Sequence, residues 1–389
     1  MHPVSLLDWL IVGGGVHGTY LSHALVARGR VPRERLRVLD PLQAPLAAFW
    51  RMTEATGMRY LRSPGVHNLG LHPFDLRRFA RQGAGRRVAR FSPPYERPGL
   101  PLFRAHTEHL IENQRLDLLR ERGHATSLRR IEGGFRVETE RGALDSRRVV
   151  LALGTSEQLQ RPGWVVNDPR VQHLFEADFR REAIKATEVV VVGGGISAVQ
   201  VACALVAQGV PGVTLLARHA PRVHRFDSDP EWLGPRGLAG FWRERDLAAR
   251  RALIGRVRHR GSMSPEVFAD LQGGLRKGKL RWVEAEATGM EEHEGKLRLR
   301  LDRAPWALEA GHVVLATGFS AGRPGGKLVA EAVEELGLPC APCGFPRLPP
   351  SLTWAPGLFV TGALAELELG PSARNIAGAR SAGERLLAA

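Results

Sequence analysis

Cysteine is scarce in this chain: Cys203, Cys340 and Cys343 are the only three among 389 residues. So few cannot staple a chain of this length, and they fit a reducing, cytoplasmic setting. Long apolar runs are also missing. None reaches the roughly 18 residues of a membrane span, so no membrane segment is expected. The N-terminus lacks a basic stretch followed by an apolar core, so no secretory leader is expected. Lysine supplies only five of the 55 basic residues, and the net charge of +15 is therefore mostly arginine. Those arginines are mixed with acids, as in Arg33-Glu34-Arg35 and Arg243-Glu244-Arg245. Without a basic block or an aromatic-interleaved basic stripe, nucleic acid is not an expected partner. A positive field does suit ligands that carry phosphates.

What is present is one design used twice. The apolar strand ending at Val12 runs into Gly13-Gly14-Gly15-Val16-His17-Gly18 and an apolar helix. The strand ending at Val192 runs into Gly193-Gly194-Gly195-Ile196-Ser197-Ala198 and another. A second strand follows each helix, Leu36 to Asp40 and Val213 to Arg218. These are two βαβ units about 180 residues apart, and 389 residues suit two domains. Further strand-to-glycine junctions end at Gly154, Gly318 and Gly362. Residues 41–115 and 220–280 fit neither pattern, and connections of that length usually carry function.

In the first motif Gly13 permits the tight turn, Gly15 admits a pyrophosphate to the backbone, and Gly18 lets helix and strand pack closely. The helix start offers free N–H groups and a positive dipole end. Asp40 ends the next strand, 22 residues after Gly18, where a carboxylate accepts hydrogen bonds from an adenosine ribose. The second motif replaces the third glycine by Ala198 and ends its next strand in Arg218-His219 instead of an acid. A guanidinium there can read a 2′-phosphate, which points to NADPH.

These motifs, with Leu-Ala-Leu-Gly-Thr at 151–155, Leu-Ala-Thr-Gly-Phe at 315–319 and the late Val-Thr-Gly at 360–362, make the chain resemble the two-dinucleotide-binding-domain flavoproteins. The resemblance covers nearly the whole chain. It implies an α/β architecture of two Rossmann-like domains, with FAD on the first motif and an NAD(P)H domain inserted in the FAD domain. The FAD domain is expected at 1–182 and 313–389, and the inserted domain at 183–312 with a helical insertion near 220–280. Within the group, Gly57 to Pro64 and His72-Pro73-Phe74 look like the segment of the lysine and ornithine N-hydroxylases that lies near the flavin. The monooxygenase fingerprint before the second motif is absent, and Val171 to Phe175 only loosely occupies its place.

On that placement Arg62 and His67 are candidates to orient oxygen chemistry or an acidic substrate. A helix over Ser372 to Leu387, beginning near Pro371 with Asn375 in its first turns, would aim its N-terminus at the flavin; Gly370 before it, and the junction glycines Gly154, Gly318 and Gly362, are candidate cofactor contacts. Cys340-Ala341-Pro342-Cys343 is a redox-dithiol or half-zinc pattern. With no second CxxC and no matching histidine pair it is expected to be incidental, and no metal site is expected. Three readings follow. The first is an NADPH-using flavin monooxygenase acting on an amine or sulfur of a small molecule. The second is an NAD(P)H:acceptor reductase serving a disulfide, quinone or protein. The third is a non-catalytic flavin-bound sensor or RNA-associated protein. An oligomer is compatible with each.

Overall fold

The computed structural model describes residues 6–303 and 306–388. Two parallel sheets organise them. In the first, five strands run parallel in the order Leu358–Val360, Gly142–Leu151, Leu7–Val12, Leu36–Asp40 and Arg120–Arg122. In the second, the order is Leu280–Glu284, Gly212–Ala217, Glu188–Val192, His312–Leu315 and Val171–His173, again all parallel. Each central strand reads as a continuous apolar run because helices cover both faces of a parallel sheet. Leu10, Ile11, Val189 and Val191 are accordingly buried. Helix Val16–Ala27 follows the first glycine turn and packs on the C-terminal helix, while helix Ile196–Ala207 follows the second.

The second sheet extends past the expected domain limits at both ends. Strand Val171–His173 lies before the boundary placed at 182/183, yet pairs with His312–Leu315 in the second sheet. His312–Leu315 itself pairs with Glu188–Val192 and so carries the second sheet past residue 312. The second unit thus begins near residue 171 and ends near 315. The cause is visible in His173, whose backbone N–H and ring are anchored by Glu176 and by the Gly318 carbonyl.

The helical insertion is formed by Pro235–Arg243, Leu247–Val257 and Pro265–Arg276. The C-terminal helix spans Ile376–Leu387, a turn later than expected, and residues 371–374 make turns instead. Gly370, at φ +83°, is where the chain leaves the short helix Glu366–Leu369.

The two motifs differ in how tightly strand and helix meet. A Cβ on Gly18 would stand 1.8 Å from the Gly13 carbonyl oxygen, a backbone atom that cannot swing aside. At the matching place Ala198 fits, fully buried, with its methyl 3.3 Å from a Cβ built on Gly193. Gly18→Ala should therefore cost on the order of 2 kcal/mol, an overpacking penalty. Ala198→Gly should cost only about 0.5–1 kcal/mol of helix propensity. Paired denaturant melts check this, and a neutral Gly18→Ala would contradict the packing account.

Candidate functional site

The first glycine turn lies at the carboxyl ends of its strands, where open parallel sheets bind ligands. Helix Val16–Ala27 has no side-chain cap and no acid in its first turn, so the N–H groups around Val16 point out unclaimed. Gly13 takes φ +111° against the Ala152 carbonyl, while a Cβ at Gly15 would meet nothing within 4 Å. The turn is thus a closed backbone with an open face, the shape a pyrophosphate needs. Asp40 accepts from Gly14 N at 2.6 Å and Leu42 N at 2.8 Å, so it braces the turn from the ribose side.

Beside Asp40 stands Arg120, which the sequence reading missed. Its Nη2 donates to the Leu42 carbonyl at 2.5 Å and lies 3.4 Å from Asp40. Its Nε and Nη1 are buried without partners, pressed against Gly14. Two orphaned donors beside an uncapped helix start fit a phosphate-bearing cofactor. The only sequence signal for Arg120 was its place at the start of a short strand whose neighbour is not adjacent in sequence.

His17 closes the far side. Its Nδ1 lies 2.9 Å from Thr361 Oγ1, and its ring faces the Arg374 and Asn375 carbonyls and the Gly362 turn. Burial pushes the imidazole down to about 4, so it is neutral in ordinary buffers. It ties the first motif to the start of the C-terminal helix. Asn375 is the N-cap of that helix, but its side chain caps nothing, which leaves another free helix start. Gly154 is exposed, with open space where a Cβ would be. Gly370 has a packing role. A Cβ there would strike Leu238 at 2.8 Å beneath helix Pro235–Arg243, so the absence of a side chain serves packing.

The second turn repeats the pattern. Gly193 takes φ +150° against the Ala316 carbonyl, and the helix start at Ile196-Ser197 is uncapped. Gly195 faces Gly261, and His219 lays its ring over both Gly194 and Gly261. Gly318, at φ +79°, accepts from His173 where the chain returns to the first sheet. Arg218 ends strand Gly212–Ala217 as expected and is largely exposed. Its guanidinium faces the Glu286 carboxylate at 3.6 Å, a pairing between residues 68 positions apart.

Arg62 lies where the two units meet. Its guanidinium donates to the carbonyls of His224, Arg225 and Phe226 and to Ser262 Oγ. Through Nε and Nη2 it clips the two units together. Arg97, fully buried, adds a second clip through Glu266. His67 sits near Arg380, and burial holds its ring down at about 4. Cys340 is half-buried beside Arg323, and Cys343 is exposed.

Two cavities stand out. One of about 660 Å³ opens at the amino-terminal end of the first sheet, between Trp9, Arg30, Arg130 and Arg148, on the side away from both glycine turns. The other, about 250 Å³, lies where helix Leu247–Val257 meets Ala321 and Glu366. The second is at the junction of the units and is lined by Arg251, Arg258, Arg260 and Glu366.

His17, His67 and His106 are all held near 4 by burial. Above pH 6.5 each is neutral folded or unfolded. Between about 6.5 and 4 the unfolded chain takes up protons that the fold refuses, so stability falls as pH falls. Each contributes a loss of roughly 2 kcal/mol at pH 5. Melting temperature should drop steeply from pH 6.5 to 5, and His67→Gln should flatten the slope. A flat profile would contradict the burial of these rings.

Comparison with known proteins agrees with this geometry. Residues 10–156 match a family model described as FAD-NAD(P)-binding, and residues 104–250 one described as pyridine nucleotide-disulphide oxidoreductase. No curated protein matches the sequence. Among solved structures, the ornithine N-hydroxylase of Kutzneria sp. 744, solved with reduced FAD, NADP+ and L-ornithine, superposes with a TM-score of 0.77 at 17% identity, covering 97% of each chain. The ornithine hydroxylase of Pseudomonas aeruginosa gives 0.75 at 15% identity over 98% of each. The bacillithiol disulfide reductase of Staphylococcus aureus gives 0.64 at 13%, covering 98% of this chain and 97% of that one. The chain has the two-dinucleotide-binding-domain flavoprotein fold, in the arrangement seen in the ornithine N-hydroxylases.

Proposed function

We propose that this protein is an FAD-dependent, NADPH-using monooxygenase that hydroxylates an amine or sulfur of a small molecule. The observation that carries the reading is the pair of uncapped glycine-turn cradles, set in an arrangement that matches the N-hydroxylases end to end. FAD, when bound, supplies the hydride-accepting and oxygen-reacting chemistry. The chain's own groups do the rest. Gly13, Gly15, the N–H groups at Val16 and Arg120 hold the pyrophosphate, and Asp40 the ribose. Thr361, Gly362 and the helix start at Asn375 line the flavin end, with His17 fixing their spacing. Gly195, Ile196 and Ser197 hold the second pyrophosphate, and Arg218 with His219 faces the 2′-phosphate. Its three cysteines are unpaired, in keeping with a reducing, cytoplasmic setting.

A reductase passing electrons to an acceptor is the second reading. The disulphide-oxidoreductase description of residues 104–250 and the bacillithiol disulfide reductase likeness favour it. The cysteines argue the other way, since Cys343 is exposed in a turn and neither Cys340 nor Cys343 lies at a glycine cradle. The deciding experiment measures hydroxylated product per NADPH consumed across amines and sulfides, beside the Cys340→Ser/Cys343→Ser variant. The monooxygenase reading expects coupled product in both proteins. Electron transfer to disulfides that disappears in the variant, with no product from any amine or sulfide, would replace it.

Nucleotide choice gives a sharper expectation. Arg218→Ala should weaken NADPH binding roughly tenfold, about 1.4 kcal/mol, and leave NADH nearly unchanged. Glu286 competes with the 2′-phosphate for Arg218, so Glu286→Gln should tighten NADPH. If Glu286 instead takes the ribose hydroxyls of NADH, Glu286→Gln will weaken NADH, and the NADPH assignment falls. Titration of each variant with both nucleotides decides between them.

A further inference from the structure

We propose that the 250 Å³ cavity at the junction of the two units binds a dianionic group carried by the small molecule on which the enzyme acts. This rests on the monooxygenase reading of the same junction.

The cavity is walled by Arg251 and Arg258 from the inserted unit and by Glu366 from the C-terminal segment, with Arg260 exposed at its mouth. Arg374 stands behind Glu366. Arg251 and Arg374 grip the Glu366 carboxylate from two sides, the latter at 2.8 Å. Arg258 holds Asp227 at 2.8 Å. Three guanidiniums thus share two carboxylates, and Arg260 adds a fourth positive charge at the mouth, so cationic charge exceeds anionic charge by two around this cavity. The hydrogen-bond inventory agrees. Arg258 Nε and Arg374 Nη2 are buried and donate to nothing. Burial and the neighbouring guanidiniums both act against the charged forms of Arg251 and Arg258. Like charges held together out of water are costly unless an anion joins them. Guanidinium forks suit the oxygens of a phosphomonoester or a pair of carboxylates.

Two other occupants fit less well. The dinucleotide phosphates have their own donors at the two helix starts and at Arg218, and none of those groups lines this cavity. An ammonium group, such as the α-ammonium of ornithine or lysine, would find its nearest carboxylate, Glu366, already held between two arginines. The chemistry therefore favours a substrate whose amine or sulfur sits on a scaffold with a doubly charged acid group.

The test uses the FAD-loaded protein saturated with NADP+. Inorganic phosphate and malonate are titrated calorimetrically at constant ionic strength into the wild type, Arg258→Met and Arg260→Gln. Arg260 is exposed, so its variant should fold even if Arg258→Met does not. Phosphate or malonate should bind the wild type, at least tenfold more weakly in either folded variant. The stronger of the two anions identifies the acid as phosphomonoester or dicarboxylate. In turnover, amines bearing that group should be preferred over their neutral esters, and Arg260→Gln should raise KM far more than it lowers kcat. If neither anion binds, or if phosphate merely displaces NADP+, the inference is overturned. Equal turnover of neutral and dianionic amines would likewise overturn it while leaving the monooxygenase standing. Anion binding with no hydroxylation of any amine or sulfide would support the cavity as a dianion site and sink the monooxygenase reading instead.

Discussion

Two carboxylates on one short helix hold the halves of this molecule in register. Glu366 and Glu368 lie on Glu366–Leu369 and are buried almost completely. Each is held by an arginine of helix Leu247–Val257 and by one from the C-terminal segment: Arg251 and Arg374 for Glu366, Arg250 and Arg385 for Glu368. A buried carboxylate left alone would be expensive, and removing one partner of such a pair commonly costs roughly 3–5 kcal/mol. The insertion from the second unit is therefore bound to the segment that follows the last strand of the first. Trp242 Nε1 donates to the Glu368 carbonyl at 2.8 Å, and Gly370 gives Leu238 room to pack.

That constraint decides what faces what across the junction. Arg62 and Arg97 repeat the device on the other side, joining residues 59–97 to the loop at 224–226 and to Glu266. The halves are thus clipped at both edges, and each keeps an uncapped helix start after its glycine turn. The chain builds its rigidity from arginine to a degree that matches its composition. Planar guanidiniums can satisfy several carbonyls at once, as Arg62 and Arg380 do, where a lysine could not.

Much of the fold was legible because its signals are local. An apolar strand, a glycine turn and an apolar helix are contiguous, and Asp40 and Arg218 fall at fixed distances after them. The parts that escaped are those in which distant segments meet. Arg120 reaches Gly14 across a strand neighbour some 80 residues away in sequence. Glu286 meets Arg218 only because strand Leu280–Glu284 lies beside Gly212–Ala217. The leucine that packs on Gly370 and the three carbonyls that meet Arg62 likewise come from segments far away in sequence. The late start of the C-terminal helix follows from the Gly370 turn, which delays helical geometry until Ile376.

The account stands or falls on whether this cleft holds a flavin that a nicotinamide nucleotide can reduce. The most direct measurement is the visible absorption spectrum of the purified, FAD-supplemented protein, titrated without oxygen by NADPH and, separately, by NADH. The structure predicts one tightly held FAD per chain, bleached by NADPH at lower concentration than by NADH. A protein that retains no FAD, or whose bound flavin neither nucleotide reduces, would contradict it.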